Sequence, residues 1–158
     1  TCFGYSQNCK YDKNEVDEFS KKTILETKLV RFGKIRTLNY IDAYFRSVDK
    51  AQFIGLYVHV YELFSTDENN NILLLNKNGD VFKLKCYKYQ IANSNYNSSL
   101  KLMFHTMQFI FPLDDELKLF IKKNEIVKIR MESKEVNFDF EVKEKDLVKI
   151  TESMKCIE

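Results

Sequence analysis

Two histidines and four cysteines are the scarce reactive groups of this chain, so they are the first places to look for chemistry. Tyr57, His59 and Tyr61 are spaced by two, which puts all three on one side of an extended strand. His105 belongs to a second alternating run in which Met103, His105, Met107, Phe109 and Phe111 line one face. If the two strands pair, His105 joins Tyr57, His59 and Tyr61 in a shallow ligand-binding face. The plain alternative is an aromatic layer packed under a helix, the usual fate of aromatic stripes at strand spacing. The chain has no tryptophan, which weakens a sugar-stacking version of the groove. A metal held by His59 and His105 would need carboxylates or cysteines to complete it, and ordinary structural roles are the expected use of both histidines. No metal and no cofactor are therefore expected.

The cysteines suggest structure more than catalysis. Cys86 shares a strand face with Phe82 and Leu84, as a buried inert thiol does. Cys9 and Cys156 lie in terminal segments that can meet, so they are the expected disulfide, with Cys86 left over once Cys2 is lost with a leader. In a reducing compartment all three would instead stay free. Asp67, Asn69 and Asn71 imitate half a calcium loop, but Ile72 stands where its glycine belongs, so a solvated turn is expected. Asp17-Glu18 and Asp114-Asp115 are adjacent carboxylates, whereas acid and base groups usually converge from separate elements. No G-x-S-x-G, G-x-G-x-x-G, P-loop or H-E-x-x-H motif occurs, and four glycines leave little with which to cradle a phosphate.

The elements that would position these groups are mostly strands. A chain of 158 residues fits one domain of the common size, roughly 100 to 150 residues. The first strand is expected in the Thr23 to Phe32 segment, with Gly33 as punctuation. Further strands are expected over Ile35 to Val48, Ala51 to Phe64, Ile72 to Leu75, Val81 to Tyr89 and Leu102 to Phe111. Glu125 to Met131 and Glu135 to Val142 complete the set. Asn78-Gly79 marks a hairpin. Asp67 to Asn71 and Asn93 to Ser99 read as polar loops. The Ala51 to Phe64 segment is apolar on both faces, so it is expected to be central, with Tyr57→Ala costing about 3 to 5 kcal/mol if its aromatic face is buried. Leu113 to Lys123 has helical spacing with acids in its first turn, lysines in its last and a left-handed stop at Asn124. Leu147, Ile150, Met154 and Ile157 predict a C-terminal helix. The fold class is α+β, mainly β: an antiparallel sheet of about seven or eight strands, with one inserted and one C-terminal helix. A β-sandwich or partly open barrel is the alternative.

Gly4 and Ser6 sit in the small-x-small spacing of a leader cleavage site before Gln7, so residues 1–6 are read as the remnant of an export signal and 7–158 as one globular domain. The segment Cys9 to Phe19, followed by Lys21-Lys22-Thr23, resembles small secreted proteins of Bacteroidetes bacteria, as do Ile126 to Arg130 and Met154 to Ile157. That resemblance implies an exported bacterial protein and no particular activity. The net charge of +2 comes from interleaved charges without a basic stripe, so nucleic acid is not expected as a partner. No apolar run approaches the roughly 20 residues of a membrane span. The expected function is an exported, secreted or periplasmic, non-catalytic binding or interaction domain for an envelope protein or ligand. A small hydrolase-type enzyme assembled around the aromatic and histidine face is the alternative.

Overall fold

A computed structural model describes residues 9–123 and 125–158. The leader remnant, the cleavage before Gln7, Cys2 and the stop at Asn124 lie outside the described residues.

In chain order the strands are β1 (Tyr11–Val16), β2 (Thr23–Thr27), β3 (Val30–Lys34), β4 (Asn39–Val48), β5 (Ala51–Val60), β6 (Ser65–Thr66) and β7 (Asn71–Asn76). They continue as β8 (Val81–Lys85), β9 (Gln90–Ile91), β10 (Asn93–Asn97), β11 (Leu102–Pro112), β12 (Ile126–Met131) and β13 (Phe138–Glu141). Among the described residues two α-helices, α1 (Asp115–Lys122) and α2 (Glu144–Lys155), follow β11 and β13. The fold is mainly β within the α+β class. One sheet has the order β1-β2-β4-β5-β11-β10 with β3 also on β4, and a second has the order β13-β12-β7-β8. All pairings are antiparallel, and one sheet curls into a half-barrel.

Period-two alternation builds the core. Ile41, Ala43 and Phe45 of β4, Ile54, Leu56, Val58 and Val60 of β5, and Met107, Phe109 and Phe111 of β11 all face inward. Opposite them lie Ile72 and Leu74 of β7, Ile129 and Met131 of β12, and Phe140 of β13. Leu117 and Ile121 of α1 join this core, as do Leu147, Ile150 and Met154 of α2. Asp114 caps α1 by accepting from the Leu117 N–H at 2.8 Å, satisfying one of the donors that a helix start leaves open.

The structure adds short strands to those read from the sequence and divides one. Thr23 to Phe32 is two strands sharing one edge of β4: β2 pairs with Arg46 to Val48 and β3 with Asn39 to Ala43. At the break, the buried Thr27 hydroxyl accepts from the Phe45 N–H at 3.0 Å and replaces a ladder bond. Gly33 lies within β3 at φ +94, where a Cβ would meet the Asn39 carbonyl at 2.6 Å. Asn93–Asn97, read as loop, is strand β10 on the edge of β11. Tyr11–Val16 forms another polar edge strand on β2.

The two chain ends are covalently tied. Cys9 and Cys156 form a disulfide with a Cα separation of 5.6 Å. Nearby, the Tyr11 hydroxyl donates to the Cys156 carbonyl at 2.8 Å. Cys86 is free and buried, and burial pushes its thiol up to about 11.

Candidate functional site

The outer face of β4, β5 and β11 collects the polar and aromatic groups that the core rejects. Register sets Tyr40 opposite His59, Asp42 opposite Tyr57, and Tyr44 opposite Gly55. Gly55 is required there because the Tyr44 ring occupies the space of a Cβ. The His59 ring stacks on Tyr40 at 4.4 Å, and the Arg31 guanidinium of β3 lies 4.3 Å from the centre of the same tyrosine ring. Tyr57 stacks on Tyr44 at 5.6 Å, and the Gln108 amide donates to both of their hydroxyls, at 2.8 Å to Tyr44 and 2.9 Å to Tyr57.

Asp42 lies under this layer with its side chain 3% exposed. Arg31 grips it through two hydrogen bonds, from Nε at 2.5 Å and Nη2 at 2.6 Å. This bidentate geometry spends the carboxylate on its own structural partner. His59 Nε2 stands 3.6 Å from Asp42, beyond hydrogen-bond reach, while His59 Nδ1 is buried without a partner among the described residues. Burial holds the imidazole below its ordinary titration range, which keeps it neutral near pH 7. Opposite His59, the Thr106 hydroxyl accepts from the Asn95 amide at 2.9 Å. The arrangement thus contains a neutral imidazole and a charge-balanced carboxylate, with its hydroxyl already engaged.

The expected four-residue face is not assembled. β5 and β11 do pair, but His105 lies opposite Val60 and Thr106 opposite His59, so the two histidines occupy opposite faces. The His105 Nδ1 instead shares a hydrogen bond with the Ser94 hydroxyl at 3.0 Å. Tyr61 falls beyond the end of β5 and is 41% exposed. Tyr57 and His59 share the face as expected, but both are only half-buried. The expected cost of Tyr57→Ala therefore falls to about 1 to 3 kcal/mol, less than emptying a fully buried aromatic site. Among the described residues no cluster of three or more metal-binding side chains occurs.

A second place offers unpaired backbone. Leu113 N–H donates to the Gln52 carbonyl at 2.9 Å, one step beyond the register that sets Pro112 opposite Phe53. Bonded pairs alternate in an antiparallel ladder, so Met107, Phe109 and Phe111 bond to β5. The N–H and C=O of Thr106, Gln108 and Ile110 consequently point to the other edge. β10 meets Thr106 through Asn93 and goes no farther along β11. Ala92 then donates to the Phe64 carbonyl at 3.0 Å, and β9 pairs with β6, so the chain swings away from the edge.

This departure opens a cleft of about 340 Å³ beside residues 108–111, walled by Cys86, Tyr87, Lys88 and Gln90. A neighbouring cleft of about 260 Å³ shares Tyr87 and Phe111 and continues toward Lys83 and Lys85. Val81 to Tyr89 reads as one strand in the sequence, but β8 ends at Lys85 and the following residues form the wall. The sequence holds a signal for that ending. Phe82, Leu84 and Cys86 are apolar at even positions, whereas Tyr87 and Tyr89 move the apolar phase to odd ones.

No family model matches the chain, and no curated protein or solved structure matches it.

Proposed function

We propose that this chain is an exported binding domain that takes an extended polypeptide segment as an added strand on the free edge of β11. The observation that carries this reading is the pair Gln108 and Ile110, whose main-chain donors and acceptors face a cleft instead of a neighbouring strand. Such an edge invites strand addition: backbone bonds supply attraction, and the walls select side chains. Four main-chain hydrogen bonds at about 0.5 to 1.5 kcal/mol each would hold a short segment weakly, with apolar burial adding the rest. Export is supported by the disulfide, a bond that persists in oxidising compartments. No helix among the described residues is long and apolar enough to cross a membrane. The hydrolase alternative has weaker support because Arg31 holds Asp42 and the hydroxyl opposite His59 is engaged.

Amide exchange and peptide titration test the proposal together. In the free protein, the Gln108 and Ile110 amides should exchange faster than those of Phe109 and Phe111. A blocked, extended hexapeptide should slow the first two, and the same peptide N-methylated at alternate residues should not. Equal protection of all four amides in the free protein would remove the basis of the reading.

A further inference from the structure

We infer that the segment added to β11 is acidic, with carboxylates alternating with apolar side chains; this rests on the strand-addition reading. Lys88 lines the cleft beside residues 108–111, and among the described residues no carboxylate lines it. Residues 81–90 contain Lys83, Lys85 and Lys88 and no acidic residue. All three lysines are exposed, and the ion pairs made by lysines of the described residues belong to others.

The adjoining cleft is lined by two acids, Asp114 and Glu116, as well as by Lys83 and Lys85. Asp114 is already occupied as the cap of α1. A segment leaving the first cleft toward β8 passes Lys83 and Lys85, with Glu116 as the one acid there that the cap does not occupy. The apolar half of the recognition comes from Tyr87 and Ile110, which border the cleft while 68% and 45% exposed. Alternation in the ligand follows from the strand itself, since successive side chains point to opposite faces.

Charge also argues against a second copy of this chain as occupant. β11 contains no acidic residue, so pairing two β11 edges would leave Lys88 of each copy without a carboxylate on the incoming strand. A partner with an acidic extended segment supplies that carboxylate.

The test uses three blocked hexapeptides in which valine alternates with aspartate, asparagine or lysine, measured by calorimetry against the native protein. At low salt the aspartate peptide should bind at least about tenfold more tightly than the lysine peptide, and the difference should shrink as salt rises. Combining Lys83→Gln, Lys85→Gln and Lys88→Gln should bring the two affinities within about twofold while preserving asparagine-peptide binding. Equal affinities in the native protein, or a preference that survives the triple substitution, would overturn the acidic assignment and leave strand addition standing. Failure of all three peptides to bind would overturn both. Dimerisation through the cleft, seen by sedimentation as loss of peptide binding with rising protein concentration, would assign the edge to a second copy and also overturn it.

Discussion

Breaking the Arg31–Asp42 pair from its two ends should have unequal consequences. Asp42 is 3% exposed, whereas the Arg31 side chain is 39% exposed. Removing one partner of a fully buried pair costs about 3 to 5 kcal/mol, because the remaining charge is left unpaired. Arg31 is partly solvated, so screening reduces the expected loss for Arg31→Met to about 2 to 3 kcal/mol. Asp42→Asn leaves an arginine that can turn toward water and keeps some hydrogen bonding beneath the aromatic layer. Its loss should be about 1 kcal/mol. In the double variant the two losses should not add, since Asp42→Asn removes the buried charge that Arg31 neutralises. Urea unfolding at neutral pH reads all three variants, with an unchanged denaturant slope as the control for a common mechanism. If Arg31→Met costs no more than Asp42→Asn, Asp42 is not the buried charge that this geometry requires.

Replacing both Cys9 and Cys156 with alanine opens a loop spanning 147 residues. Chain entropy then predicts a loss of about 5 kcal/mol, and a loss below about 1 kcal/mol in urea unfolding would contradict it. Burial lowers the His59 pKa from its ordinary 6.5, so the unfolded chain binds this proton at a higher pH than the folded one does. Its contribution is therefore full above pH 6.5 and declines as pH falls toward the folded-state value. Comparing stability against pH for native protein and His59→Gln should show that component vanish in the variant; parallel curves would refute it. Cys86, with its thiol pushed to about 11, should resist iodoacetamide at about pH 8 and react after unfolding. Rapid alkylation of the native protein would show that the thiol is accessible.

Much of the framework was legible because burial imposes periodicity on a sequence. Ile54, Leu56, Val58 and Val60 announced β5, and Asn78-Gly79 announced the β7–β8 hairpin, whose register sets Leu75 opposite Val81. The helical spacing of Leu117 and Ile121, and of Leu147, Ile150 and Met154, likewise corresponds to buried helix faces, while Leu113 is buried just before the α1 cap. Polar edge strands leave no such trace. Residues 93–97 are built from asparagine, serine and tyrosine, good turn residues that here form a strand through main-chain pairing at an exposed edge. The histidine pair failed at a different level. Both strands and their adjacency were readable, but a register one residue different would reverse which face His105 occupies relative to His59. The β11 cleft depends on where β10 stops, a tertiary fact whose nearest sequence trace is the phase change after Cys86.

The most direct test of strand addition compares hexapeptide affinity in native protein, Ile110→Ala and Ile110→Pro. Alanine retains the outward N–H, whereas proline removes it and leaves the N–H groups of Phe109 and Phe111 for β5. Calorimetry with the aspartate–valine peptide, alongside urea unfolding to verify folding, should show binding retained in Ile110→Ala and lost in folded Ile110→Pro. Undiminished binding to folded Ile110→Pro would contradict the account, because the peptide would not depend on the main-chain donor at the β11 edge.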